Sequence, residues 1–288
     1  MWRNIICLGS ALCLTLLTAC SGPVTHIEAA KTDPTHSHET KASATKPSPA
    51  AQMKQLEQTL LERYGSESPH RWGEHFPGII DRLPTKEKVI ALTFDACGGK
   101  HGNGYDRELI DYLNKERIPA TLFINSRWIE ANPQTFMKLA HNPLFEIENH
   151  GTEHRPLSVT GRSAYGIGGT KNAAAVINEV LGNDQLITRL TGRKPKFFRT
   201  GTAFYDDVAV KLVYGLGEKP VNYDILGDAG ATYNTRQVEQ ALLTAKPGSI
   251  VIMHMNQPSH DTAEGVIKSI PLLKKKGFRF VKLEDYLH

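Results

Sequence analysis

From residue 88 onward, short apolar and β-branched runs alternate with longer stretches whose apolar residues recur every three to four positions. Val89-Ile90-Ala91-Leu92-Thr93-Phe94, Ala120-Thr121-Leu122-Phe123-Ile124, Phe145-Glu146-Ile147-Glu148-Asn149 and Ile250-Val251-Ile252-Met253 have strand length and composition. Stretches 105–117, 171–190, 206–216, 235–245 and 262–276 carry the helical period. A strand that is followed by a helix and then another strand pairs in parallel, because the helix carries the chain back across the sheet. Repetition of that unit predicts one α/β domain over 88–288, a closed or partly open (β/α) barrel with its helices outside.

In such sheets, active sites gather at the carboxyl ends of the strands, where loops converge over a rigid floor. Asp95 closes the first run, and Gly98 and Gly99 after it suit a tight turn that brings backbone amides close to a ligand. Asn149-His150-Gly151-Thr152-Glu153-His154-Arg155-Pro156 sets two imidazoles four residues apart, and Gly151 and Pro156 argue for a loop rather than a helix. Taken alone, the pair reads equally as two solvated loop histidines. His254 ends Ser249-Ile250-Val251-Ile252-Met253, where a lone histidine could also be a core residue. Arg199 ends Phe197-Phe198, and Asp224, after Pro220-Val221-Asn222-Tyr223, is its expected partner because charges inside a barrel must be paired. An acid, two imidazoles at a metal-ligand spacing and a further imidazole together point to a metal-assisted hydrolase. The glycines of Ser163-Ala164-Tyr165-Gly166-Ile167-Gly168-Gly169-Thr170-Lys171 lack the strand and the Gly-Lys-Ser/Thr order of a phosphate loop, and read as a rim leading into a helix near Asn172.

The order of these segments resembles the polysaccharide deacetylase family, carbohydrate esterase family 4, which removes acetyl groups from N-acetylated sugars. The matching segments are Thr93-Phe94-Asp95, Glu146-Ile147-Glu148-Asn149-His150 with His154, Phe198-Arg199, Asp224, Ile252-Met253-His254 and the closing Lys276-Gly277-Phe278-Arg279-Phe280-Val281-Lys282-Leu283. The resemblance implies a distorted, partly open barrel with fewer than eight strands, and a divalent metal, zinc as first choice, held by His150 and His154. It implies Asp95 as base, His254 as the acid that protonates the departing amine, and Arg199 and Asp224 as orienting groups. The sequence departs from the family pattern where the second of two aspartates, a metal ligand, is replaced by Ala96. Asp95 or Glu148 is the expected substitute, Glu148 because it precedes His150 by two on the same strand face; a Cys97 thiolate requires a suitable loop geometry. Thr200-Gly201-Thr202 also stands where the family carries prolines and a tyrosine. The implied substrate is an envelope or extracellular polysaccharide, peptidoglycan first. The alternatives are a catalytically impaired glycan-binding protein on the same fold and an amidase acting on a small non-sugar amide.

Ahead of the domain, Met1-Trp2-Arg3 and the apolar stretch from Ile5 to Leu17 read as a signal peptide over 1–19, too short to span a membrane comfortably. Leu17-Thr18-Ala19-Cys20 resembles a lipoprotein cleavage box, which makes Cys20 the lipidated first residue; Ser21 after it points to the outer membrane, facing the periplasm. Cys7 and Cys13 leave with the signal, so Cys97 has no partner for an intramolecular disulfide. Residues 20–52, rich in Ala, Thr, Ser, Pro and Lys, read as a tether, with its histidines as solvated linker residues. Residues 53–87 read as an accessory helix and lead-in, the helix from the spacing of Leu56, Leu60 and Leu61. The net charge of +4 comes without a dense basic stripe, which disfavours nucleic acid, and no protein partner is evident.

Overall fold

The computed structural model describes residues 48–288; the signal peptide, Cys20 and the tether as far as residue 47 lie outside the described residues. Helix α1 (Pro49–Tyr64) starts earlier than the expected 53. Ser48 accepts the amide of Ala51 and Pro49 occupies the first turn, where its missing N–H costs nothing, so the local signals for a start lie there. Leu60 of α1 packs against the partly buried Met53, Leu56 and Tyr64 of the same helix and the apolar faces of two later helices. No helix among the described residues is long and apolar enough to cross a membrane.

After the short strand β1 (Trp72–Gly73) the barrel begins with β2 (Val89–Ala96), whose residues are all buried. Helices α2 (Arg107–Glu116), α3 (Ser126–Ala131), α4 (Pro133–Ala140) and α5 (Ala173–Thr191) alternate with β3 (Ala120–Ile124) and β4 (Phe145–Asn149). Then come β5 (Phe197–Phe198), β6 (Tyr205–Asp206), α6 (Asp207–Gly215), β7 (Lys219–Pro220), β8 (Ile225–Leu226), α7 (Thr235–Leu242), β9 (Ser249–His254), α8 (Thr262–Lys275) and β10 (Arg279–Val281). Helices α3 and α4 lie outside the expected set. Asn125 caps the first by accepting the Arg127 amide and Pro133 opens the second, but both are too short for their apolar period to show.

The main sheet runs β7-β5-β4-β3-β2-β9-β8, and all of its pairings are parallel. β10 pairs with the first half of β2 (Arg279↔Val89 to Val281↔Ala91), on the edge whose second half belongs to β3. The path does not close between β7 and β8, so the sheet is a curled, partly open barrel. The lead-in segment links distant strands instead: Ile80 donates to the Pro220 carbonyl and accepts the Asn222 amide beside β7, and Leu83 donates to Gly248 ahead of β9.

Alternation along β2 sorts its side chains. Ile90, Leu92, Phe94 and Ala96 join the layer under α2, α3, α4 and α8, while Val89 and Ala91 join the interior with Phe123, Phe197, Val221 and Ile250. Burying each large side chain contributes about 1.5–3 kcal/mol, so a one-residue slip of register would be heavily penalised. Asp95 thus keeps the inward parity of Val89 and Ala91, and the parallel register sets it opposite His254.

Candidate active site

At the carboxyl ends of β2, β4, β5 and β9 a polar cluster replaces the apolar interior. Asp95 is buried, and its Oδ1 accepts Arg199 Nη1 at 2.8 Å. The same guanidinium donates to Thr93 Oγ1 at 2.8 Å, Asn222 O at 2.9 Å and Val221 O at 3.2 Å, and lies over the Phe123 ring 4.2 Å from its centroid. A fully buried cation is tolerable because Nε, Nη1 and Nη2 each donate to an oxygen and the guanidinium lies over a ring. Asp95 Oδ2 lies 3.7 Å from His150 Nε2.

The loop carrying both imidazoles is held by its backbone. Asn125 Nδ2 donates to the carbonyls of His150 and Gly151, and Ser126 Oγ to that of Thr152. Glu179 of α5 accepts the amides of Thr152, Glu153 and Arg155. Gly151 is required there: its φ is +76°, and a Cβ would come within 2.5 Å of Glu179 Oε1. His154 adopts the left-handed region at φ +61°, unusual for a non-glycine residue. Gly201 packs so closely against it that a Cβ would meet the imidazole at 2.4 Å. Strain of this kind, of order 1–3 kcal/mol, concentrates at functional sites.

His150 Nδ1 contacts Arg199 O at 2.9 Å; a carbonyl can only accept, so Nδ1 carries the hydrogen and Nε2 keeps its lone pair. Cys97 Sγ lies 3.8 Å from that Nε2. One ligand atom from each of Cys97, His150 and His154 lies within 4.8 Å of the others, a set suited to one cation. His154 Nε2 is buried without a hydrogen-bond partner, an orphan that a metal would satisfy. Burial opposes ionisation of the Cys97 thiol, but the imidazoles of His154, His150 and His254 outweigh it and hold its pKa well below the usual value. The His150 pKa is raised despite burial, chiefly by the Asp95 charge.

His254 Nδ1 donates to Asp228 Oδ1 at 2.9 Å, and Asp228 Oδ2 accepts the His254 amide at 2.7 Å and Thr262 Oγ1 at 2.9 Å. Burial works against the imidazolium, but the Asp228 charge and hydrogen bond overcome it and lift the His254 pKa well above its ordinary value. Asp228 follows a two-residue strand with no pattern of its own, and no sequence signal marks it.

Two expected site residues lie elsewhere. Asp224 does not meet Arg199: it accepts Arg82 Nη1 at 2.8 Å, Ser249 Oγ at 2.9 Å and the Ile250 amide at 2.8 Å, tying the lead-in to the start of β9. Arg199 finds its carboxylate in Asp95 itself, because the interior brings the ends of β2 and β5 together. Glu148 faces inward as expected but one strand repeat below His150, where its Oε2 accepts the amides of Lys196 and Phe197. Burial, with Glu146 beside it, raises the Glu148 pKa well above the usual range, which suits a neutral internal carboxyl rather than a ligand.

Asp95, His154 and His254 line a cavity of about 400 Å³ together with Tyr165, Thr202, Ala203, Tyr223, Leu226 and Ile252. That size accommodates a small-molecule group or one sugar unit. Tyr165 stands 74% exposed at its mouth, edge-on to Phe204, and donates its hydroxyl to Glu74 at 2.7 Å. Tyr223 also donates to Glu74.

A family model described as polysaccharide deacetylase matches residues 82–221. The peptidoglycan-N-acetylmuramic acid deacetylase PdaA of Bacillus subtilis is 25% identical over 241 residues, 79% of this chain and 84% of that protein. A solved structure of B. subtilis PdaA, a family 4 carbohydrate esterase, superposes with a TM-score of 0.60 at 23% identity, covering 80% of this chain and 88% of that one. A peptidoglycan-N-acetylglucosamine deacetylase of Bacillus cereus is 26% identical over 231 residues, 76% of this chain and 75% of that protein. A family 4 pseudoenzyme from Bacillus anthracis superposes with a TM-score of 0.61 at 21% identity, over 74% of this chain and 70% of that one. The shared fold is the curled, mostly parallel sheet described above.

Proposed function

Since the chain belongs to the polysaccharide deacetylase family, we propose that it hydrolyses N-acetyl groups on an envelope polysaccharide, peptidoglycan first, with a divalent metal, zinc as first choice. The observation that carries this reading is that Asp95, His154 and His254 line one cavity with His150 beside Asp95 and His154, and that hydrogen bonds orient Asp95, His150 and His254. His150 and His154 would hold the cation, which when bound would supply Lewis acidity for a carbonyl and for water. Asp95 takes the proton of the attacking water, because Arg199 occupies its Oδ1 and leaves Oδ2 on the imidazole side. Arg199 positions Asp95 and balances its buried charge. His254 uses Nδ1 to hold Asp228, which leaves Nε2 to protonate the departing amine. Leu226, Ile252 and Ala203 give the cavity an apolar wall suited to the acetyl methyl, and exposed Tyr165 offers a ring face on which a sugar can stack.

We also propose, from the box ending at Cys20, that a lipid anchors the protein to the outer membrane, facing the periplasm and the polymer. A second reading draws on Ala96: loss of the second aspartate would leave a glycan-binding protein without turnover. Acetate release from peptidoglycan and from chitooligosaccharides, measured with the metal content of the same protein, separates the two. Release that depends on metal and on Asp95 supports the enzyme. Glycan binding without release by metal-loaded protein rejects it.

A further inference from the structure

Ala96 turns out of the barrel, fully buried in the layer under the helices, so this position supplies neither a donor atom nor the direction for one. The next residue restores the inward parity of Asp95 at the point where β2 ends. There the chain turns sharply: Gly98 and Gly99 have φ of +69° and +80°, Gly98 N donates to Gly102 O at 3.0 Å, and a Cβ on Gly98 would come within 2.5 Å of Trp128 N. Arg127 Nη2 donates to the Cys97 carbonyl at 3.1 Å, so the turn is seated against α3 from both sides. The result brings Sγ to 3.8 Å from the lone pair of His150 Nε2, within the cluster that includes His154 with its unpartnered Nε2.

From this geometry we infer that Cys97 replaces the missing aspartate and completes a thiolate–imidazole–imidazole metal site with His150 and His154, which leaves Asp95 outside the ligand set. The inference rests on the metal-dependent reading above and specifies its third ligand. Thiolate is the softest of the three candidate donors, so the site favours zinc or cobalt over magnesium or manganese. Asp95 remains bound to Arg199 and beside His150, free to act on a proton. The compensation for Ala96 therefore comes from sulfur rather than from a second carboxylate.

The test uses the full-length protein stripped of metal and titrated with cobalt(II). A thiolate ligand produces an intense sulfur-to-cobalt charge-transfer absorption in the near ultraviolet, a readout independent of turnover. We expect that band in the native chain and its absence from Cys97→Ser and Cys97→Ala, with zinc affinity falling by more than the 10–100-fold typical of losing an outer hydrogen-bond partner. Cys97→Asp should bind cobalt without the band and shift its preference toward manganese. Zinc should also slow alkylation of Cys97 in the native chain, followed by mass on the Cys97 peptide. This control does not depend on how well the variants fold. Cobalt bound by the native chain without the band, or alkylation of Cys97 unaffected by zinc, would overturn the assignment while leaving a metal-dependent enzyme intact. Failure of the native chain to bind cobalt or zinc would overturn both. An S-acetylated Cys97 trapped from metal-free protein during turnover would instead make the thiol a nucleophile and reject its role as ligand.

Discussion

Removing Arg199 is the sharpest test of how the site is held. Arg199→Met keeps an unbranched aliphatic stem but deletes the guanidinium that lies over Phe123 and reaches Asp95, Thr93, Asn222 and Val221. Thr93 still donates to Val251 O, so its hydroxyl stays satisfied. The two carbonyls each lose a bond worth about 0.5–1.5 kcal/mol. Asp95, 2% exposed, is left as a buried carboxylate without its cation. Breaking a buried pair from one side costs about 3–5 kcal/mol in all, most of it from the stranded charge. Asp95→Asn in the same background removes that charge and should leave only the carbonyl losses, about 1–3 kcal/mol. The double variant should therefore be about 2 kcal/mol more stable than Arg199→Met, and the coupling between the two positions, which is that difference plus the cost of Asp95→Asn alone, should be at least about 2 kcal/mol. Urea denaturation of the four proteins in the presence of chelator, which prevents a bound cation from taking over the role of Arg199, measures it. If the losses in the double variant add to within about 0.5 kcal/mol, the two side chains act independently and the argument fails.

Asp228→Asn should lower kcat for acetate release by about 10²–10⁴-fold with little change in KM, because His254 loses the partner that fixes its proton on Nδ1; a similar change in KM alone would count against the role. Asp224→Asn should cost about 1–2 kcal/mol in a thermal melt by weakening the ties to Arg82, Ser249 and Ile250, with kcat unchanged; a large loss of kcat would restore it to the site. Tyr165→Ala, at a position 74% exposed, should leave stability within about 0.5 kcal/mol and raise KM for the polymer several-fold; an unchanged KM would remove the ring from substrate binding. Glu148 has its pKa raised by burial, so its neutral form stabilises the fold below the ordinary carboxyl range and that contribution is lost as pH rises toward the folded-state value. Glu148→Gln should therefore flatten the decline of the melting temperature as pH rises above the ordinary carboxyl range, and a decline as steep as in the native chain would show that Glu148 is not its source.

Much of the fold and part of the site can be read along the chain. The apolar runs that became β2, β3 and β9 needed only local composition, because a strand buried on both faces selects mostly β-branched and apolar residues, and β4 showed itself by alternating Phe145 and Ile147 with two glutamates. Asp95, His150, Arg199 and His254 were conspicuous as polar groups that end such runs. Even Cys97 carried a signal: it lies two residues beyond Asp95 and so has the same facing, which parity alone could have indicated. Parity also put Glu148 on the right face, but it says nothing of depth, and one strand repeat separates a metal ligand from a carboxyl bonded to the amides ahead of β5. Two assignments belonged wholly to the tertiary structure. Asp224 and Asp228 lie four residues apart near a two-residue strand, with nothing local to distinguish them. One meets Arg82 and the other His254, because the parallel pairing of β8 with β9 and the crossing of the lead-in set which cation each carboxylate reaches. Local sequence determines which face a side chain takes, through the repeat of the backbone; the partner it finds there depends on register between strands far apart in the chain, and that is settled only when the barrel packs.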